Sequence, residues 1–133
     1  MAWLLLCAVL AVHIGDEAAT GFLNLYNPAV TAMGLPALRF TFPVWITLLG
    51  LAVIGLLILS HWVRRGTWWT PTASYAFAFL MFSNAAAHLT FAMHRHAWAS
   101  GAYTSPFLLA ASVNLWIAAP AGFPAAPNGS RRE

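Results

Sequence analysis

The chain contains no lysine, one cysteine and only three acidic residues. Charged side chains make up 7% of its 133 residues, and hydrophobic ones 61%. A soluble domain carries about 25% charged residues, so this chain lacks the means to cover itself with a hydrated surface. Lipid is the solvent that suits it. The length has room for one domain. Cys7, alone in an apolar run, excludes an internal disulfide and reads as a small packing or lipid-facing residue.

The net charge of +3 does not indicate a nucleic-acid partner. All six cations are arginines, scattered at the ends of apolar runs, where they act as topology signals rather than as a phosphate-binding patch. A cleaved leader is also disfavoured. The run Trp3 to Ala11 has the length of a signal-peptide core, but no Arg or Lys precedes it.

What the chain has in abundance is long apolar runs. The first extends from about Ala2 to Leu25, interrupted only by His13, Asp16 and Glu17. The others cover about Phe42–Trp62, Ala73–Met93 and Ser105–Ala119. About 20 apolar residues cross a hydrocarbon core as a helix, so the first three runs fit well and the fourth barely. The expected fold is all-α, an integral membrane bundle of four transmembrane helices over residues 1–119, followed by a disordered tail at 120–133. Asn27-Pro28 is expected to stop the first helix, because proline disfavours helix at the preceding residue. Gly34, Pro36 and Pro43 are expected to keep the next stretch irregular. Trp62, Trp68 and Trp69 mark an interfacial loop, whereas Trp45 and Trp116 read as core or lipid residues. Four spans put Arg64, Arg65, Arg131 and Arg132 on one side and Arg39 and Arg95 on the other. The positive-inside rule then places both termini in the cytoplasm of, we expect, a prokaryotic cell.

Two of the three acids sit inside the first apolar run. An ionised carboxylate at the centre of a bilayer costs about 2.5–3.5 kcal/mol even on insertion scales, and adjacent Asp16 and Glu17 would also repel each other. A cation, a shared proton or a basic partner must offset this. His13 lies three and four positions earlier, on the same helix face, and Thr20 and Asn24 extend the polar stripe. In the third run, Asn84 and His88 are one turn apart, with Ser83 and Ala85 to Ala87 offering a small-residue surface for a neighbouring helix. Glu17 lies about 22 Å from the start of its helix and His88 about 24 Å from Thr72, so the two polar pairs are expected to meet at one depth in the outer half of the bilayer.

His13-xx-Asp16-Glu17 followed by Asn84-xxx-His88 resembles the HXXEE family of small membrane proteins, from His13 to about Leu115. The resemblance implies metal binding and a candidate catalytic role, and no particular reaction. Two departures stand out. Asp16 replaces the first glutamate, and the family's His-xxx-Tyr motif is absent, since Trp98 follows His94 and Ser100 follows His96 at that spacing. Tyr103 is the candidate substitute at the head of the last helix.

Three function classes follow from these residues. The first is a metal-dependent hydrolase acting on a lipid or other amphipathic substrate. Its divalent cation, zinc favoured by the histidines, is held by His13, Asp16, Glu17 and His88, with Asp16, Glu17 and Asn84 as candidate catalytic groups. Glu17 has the better spacing to His13 and the longer reach. Asp16 is rotated about 100° around the helix and suits a supporting or general-base role. The second is a proton- or ion-conducting transport module. The third is a non-catalytic membrane accessory protein with a structural polar core, in which Arg95 also joins the network. A haem between His13 and His88 is disfavoured, because the carboxylates would lie beside an apolar ring. His94-Arg95-His96 reads as an interfacial basic cluster at a helix end.

Overall fold

In a computed structural model, which describes residues 1–95 and 99–119, the chain forms five α-helices and, among the described residues, no strand. They are α1 (Ala2–Ala19), α2 (Leu23–Ala32), α3 (Phe42–Arg64), α4 (Thr70–Arg95) and α5 (Ser105–Ala118), with a single 3-10 turn at Pro36–Leu38. Three of them, α1, α3 and α4, are long and apolar enough to cross a membrane. Helix α5 is apolar but has 14 residues, about 21 Å of rise against a hydrocarbon core of about 30 Å. The tail expected at 120–133 lies outside the described residues.

Each packed helix buries one stripe. On α1 this is Trp3, Leu6, Cys7, Leu10, His13, Ile14 and Glu17, the three-and-four spacing of one helix face. His13 and Glu17 continue a line of core leucines, whereas Asp16 falls beside it and is half-buried. On α5 the stripe is Ser105, Leu108, Ala111, Ser112 and Leu115. Met1, Ser60, Arg64, Thr70 and Ala119 line one cavity at one end of the bundle, so α1 and α4 run one way and α3 and α5 the other. The closest backbone approaches are α4 with α5, α1 with α5 and α1 with α3. Helices α1 and α4 meet through side chains, as in the 4.9 Å ring contact of Trp3 with Phe77. Of the small residues expected to face a neighbouring helix, Ala85 is buried and Ser83 and Ala87 are not, because the buried face of α4 is the one bearing Phe77, Ala78, Ala85 and His88.

Helix α3 is attached on one side only. The Trp3 Nε1–H donates to the Leu56 carbonyl at 3.0 Å, while Leu48, Leu51, Ile54, Leu57 and Ile58 point outward. With Phe79, Leu80, Phe107 and Ile117 they form an apolar perimeter too large for a water-facing surface and suited to lipid.

The first helix ends earlier than expected, at Ala19. Gly21 takes φ +73°, open to glycine and disfavoured for side chains, and the Phe22 N–H closes back on the Glu17 carbonyl at 3.0 Å. The chain then turns into α2. Pro28 does not stop α2, which continues to Ala32. The Asn27 side chain donates to the Phe40 carbonyl at 2.9 Å and accepts from the Phe40 N–H at 3.0 Å, a tertiary bracket that outweighs the local cost of proline. Stacked rings of Trp45, Phe22, Tyr26 and Phe40, with centroids 5.5–6.0 Å apart, hold α2 against the start of α3. Trp45 is accordingly buried, Trp116 is half-exposed, and Cys7 packs fully inside.

In lipid, which is as apolar as leucine, packing rather than hydrophobicity would hold such a bundle together. Leu108→Ala, at 0% exposure, is expected to cost about 2–5 kcal/mol through cavity formation. Leu48→Ala, on the lipid face, is expected to leave stability within about 0.5 kcal/mol. Thermal unfolding in a single detergent checks both, and equal losses would contradict this packing.

Candidate metal centre

Three side chains from two helices converge at the end of the bundle where α1 and α4 finish. His13, Glu17 and His88 are 1%, 5% and 9% exposed. The Glu17 Oε1 lies 2.9 Å from His88 Nε2 and 3.6 Å from His13 Nε2. The imidazoles meet edge to face, with centroids 5.0 Å apart.

Hydrogen-bond accounting identifies what these atoms present to one another. His88 Nδ1 is 2.7 Å from the Ser100 carbonyl, which can only accept, so Nδ1 carries the proton. Thr104 Oγ1 donates to Asp16 Oδ2 at 2.9 Å, leaving its lone pair for His13 Nδ1–H at 2.8 Å. In their neutral forms both Nε2 atoms therefore offer lone pairs. Together with the carboxylate oxygen, three acceptors face a common point. Asn84 Nδ2, 3.1 Å from His13 Nε2, supplies one donor there. The rest of the demand needs a proton or a cation, because acceptors at 2.9 Å do not attract each other.

Two of the three spacings suit a small divalent ion. Bonds of about 2.0–2.1 Å in tetrahedral geometry put donor atoms about 3.3 Å apart, and the measured 2.9 and 3.6 Å bracket that value. All three ligand atoms lie within 4.8 Å of one another. Two histidines and a glutamate are also a ligand set that zinc accepts while keeping a fourth position.

Asp16 is not among the converging atoms. Its Oδ2 accepts from both the Thr104 N–H at 3.2 Å and the Thr104 hydroxyl, so it reaches His13 only through Thr104. Tyr103 does not stand at the centre either. It is 56% exposed, and it is the next residue, Thr104, that meets His13. Thr20 keeps to the polar stripe, with its hydroxyl 2.7 Å from Ser100 Oγ. Asn24 falls on α2 and lines the cavity beside His88. His94 and Arg95 are exposed in the last turn of α4, with the Arg95 guanidinium 5.2 Å above the Phe91 ring; His96 lies outside the described residues.

Several supporting residues carried no signal in the sequence. Ser100, Gly101 and Thr104 belong to the connection into α5 and lie against the cluster. Gly101, at φ +78°, presses its backbone on the His88 ring, where an added Cβ would lie 2.6 Å from Cε1. Phe22, with its centroid 5.7 Å from the His88 ring, covers the other side. Set against family models, curated proteins and solved structures, the chain matches none.

Groups that orient metal-binding histidines typically change affinity by about 10–100-fold when removed. Thr104→Val, which keeps the shape and breaks the Asp16–His13 link, is expected to weaken zinc affinity within that range. Gly101→Ala is expected to do at least as much by displacing His88. Competition with a chromophoric chelator checks both, and unchanged affinity in Thr104→Val would remove the orienting role of Asp16.

Proposed function

We propose that this protein is a four-pass membrane metalloenzyme, in which His13, Glu17 and His88 bind a divalent cation, zinc favoured, and hydrolyse a lipid-like substrate. The observation that carries the reading is the convergence of two imidazole lone pairs and one carboxylate oxygen in a buried site. Three protein ligands are the pattern of catalytic zinc, since structural sites are usually closed by four. The resemblance of the motifs to the HXXEE family points the same way.

The cation would supply Lewis acidity toward a water or a substrate oxygen. The chain's own residues do the rest. Thr104 and Asp16 hold His13 in one tautomer, and the Ser100 carbonyl does the same for His88. Glu17 brings the negative charge. Asn84, which lines the adjoining cavity, would be released from His13 Nε2 if that nitrogen were a ligand and could then donate to developing negative charge. Phe22 limits water on one side. In this reading α5 crosses with α1, α3 and α4, and both termini are cytoplasmic.

A second reading has one specific support. The 2.9 Å contact of Glu17 with His88 would also hold a proton, as a store or relay. Conduction through the bundle is less favoured, because Leu6, Leu10, Phe77 and Leu108 occupy the layer below the cluster and offer no polar path.

Protein purified in mild detergent with zinc supplied is expected to retain about one ion per chain. Glu17→Gln and His88→Ala are expected to lose it, and Asp16→Asn to retain most of it while impairing turnover. Metal analysis beside gel filtration checks this, and a metal-free wild type would favour the proton reading. For topology, single cysteines at Arg65 and Leu38, with Cys7 replaced, are expected to label from opposite membrane faces. Labelling from one face would exclude the four-pass arrangement.

A further inference from the structure

The cluster opens on one side, into a cavity of about 670 Å³ between α2 and α4. A second hollow of about 320 Å³ adjoins it and shares Asn24, Leu25, Phe91, Arg95 and Ser100. The larger cavity is within the size range of small-molecule sites, about 300–1,000 Å³.

The order of groups along α4 is informative. His88, Phe91 and Arg95 lie at three- and four-residue spacing, so they share one helix face that forms a wall of the groove. His88 is at the buried end, with its metal-facing nitrogen on the cluster. Arg95 is at the exposed end, about 10 Å further along the axis by the helical rise. Phe91 lies between them, and its ring holds the guanidinium at 5.2 Å. Across the groove, α2 contributes Phe22, Leu25 and Pro28. Among the described residues no carboxylate lies within ion-pairing distance of Arg95. The groove is thus apolar in its middle, cationic at its mouth and metal-binding at its floor.

We propose that this groove binds an anionic single-chain amphipath, with its charged head on Arg95 and its apolar body between α2 and Phe91. The charge complementarity selects the ligand. A carboxylate or phosphate head forms a charge-assisted, two-point contact with the exposed guanidinium, which a neutral head does not. A cationic amphipath would be repelled. The proposal adds a ligand for the groove beside the centre described above, and the binding step does not need the metal. Oleate serves as the probe, and 2-monoolein as its uncharged counterpart.

Equilibrium binding of radiolabelled oleate and 2-monoolein is measured on the full chain in detergent, stripped of metal by chelation, and again after zinc loading. Wild-type protein is expected to bind oleate about tenfold more tightly than monoolein in both states, the scale of one hydrogen-bonded charge. Arg95→Gln is expected to bring the two within about threefold, and Arg95→Lys to keep part of the preference. Phe91→Ala is expected to weaken both ligands. Arg64→Gln, at the opposite end of the bundle, is expected to change neither. Excess acetate is expected not to displace oleate, because a free anion lacks the apolar body. An unchanged oleate preference in Arg95→Gln overturns the proposal, as does an equal loss in Arg64→Gln or displacement by acetate. Arg95-dependent binding in a protein that takes up no zinc would uphold the groove and overturn the metal centre, so the two ideas fail separately.

Discussion

A carboxylate buried at 5% exposure is the demand that organises this molecule. Glu17 is buried, and an unpaired charge there costs several kcal/mol. Two imidazoles face it, one from its own helix and one from α4, and because both Nε2 atoms are acceptors in the neutral rings, a proton or a cation must join them to it. Imidazoles help only when their nitrogens point the right way. That requirement recruits the Ser100 carbonyl for His88 and the Thr104–Asp16 pair for His13. Residues 100–104 therefore lie against the cluster, and the start of α5 is tied to α1. The polar network sets the positions of three helix ends at once, which a purely apolar interface in lipid would leave loosely specified.

Below this layer the bundle changes character. Leu6, Leu10, Phe77, Leu108 and Leu115 fill the interior, and hydroxyls there are satisfied within their own helices, as Ser112 Oγ is by the Leu108 carbonyl at 2.7 Å. The outside is apolar around most of its circumference, and α3 presents most of its length outward. The buried His–Glu cluster thus lies at one end, with an apolar layer beneath it. The two adjacent acids take different positions for a simple geometric reason. Glu17 continues the inner stripe of α1, and Asp16, one residue earlier, is turned about 100° away.

The exit from α1 matters as much as the site itself. Had the helix continued to Leu25, Phe22 would fall about 140° round the helix from Glu17, off the α1 stripe, with no roof over His88. The turn at Gly21 instead sends α2 aside, places Phe22 against the imidazole and opens the groove between α2 and α4. A buried ligand set and an accessible groove coexist because one short helix is attached by its aromatic edge and by the Asn27–Phe40 bracket.

The sequence alone determined what depends on local composition and helical period. Long apolar runs specified helices in lipid, and the runs at Phe42, Ala73 and Ser105 located α3, α4 and α5 to within a few residues. Three- and four-residue spacing put His13 with Glu17 and Asn84 with His88, and equal depth along parallel helices brought the two pairs to one level. Tertiary structure decided the rest, because it rests on contacts between residues far apart in the chain. Nothing local distinguishes Thr104 from Tyr103, or shows that Gly101 must lack a Cβ; both depend on where α1 and α4 stand relative to the last connection. Likewise Pro28 lies within a helix only because Phe40, twelve residues on, holds Asn27, and long-range hydrogen bonds of that kind leave no mark in a local pattern.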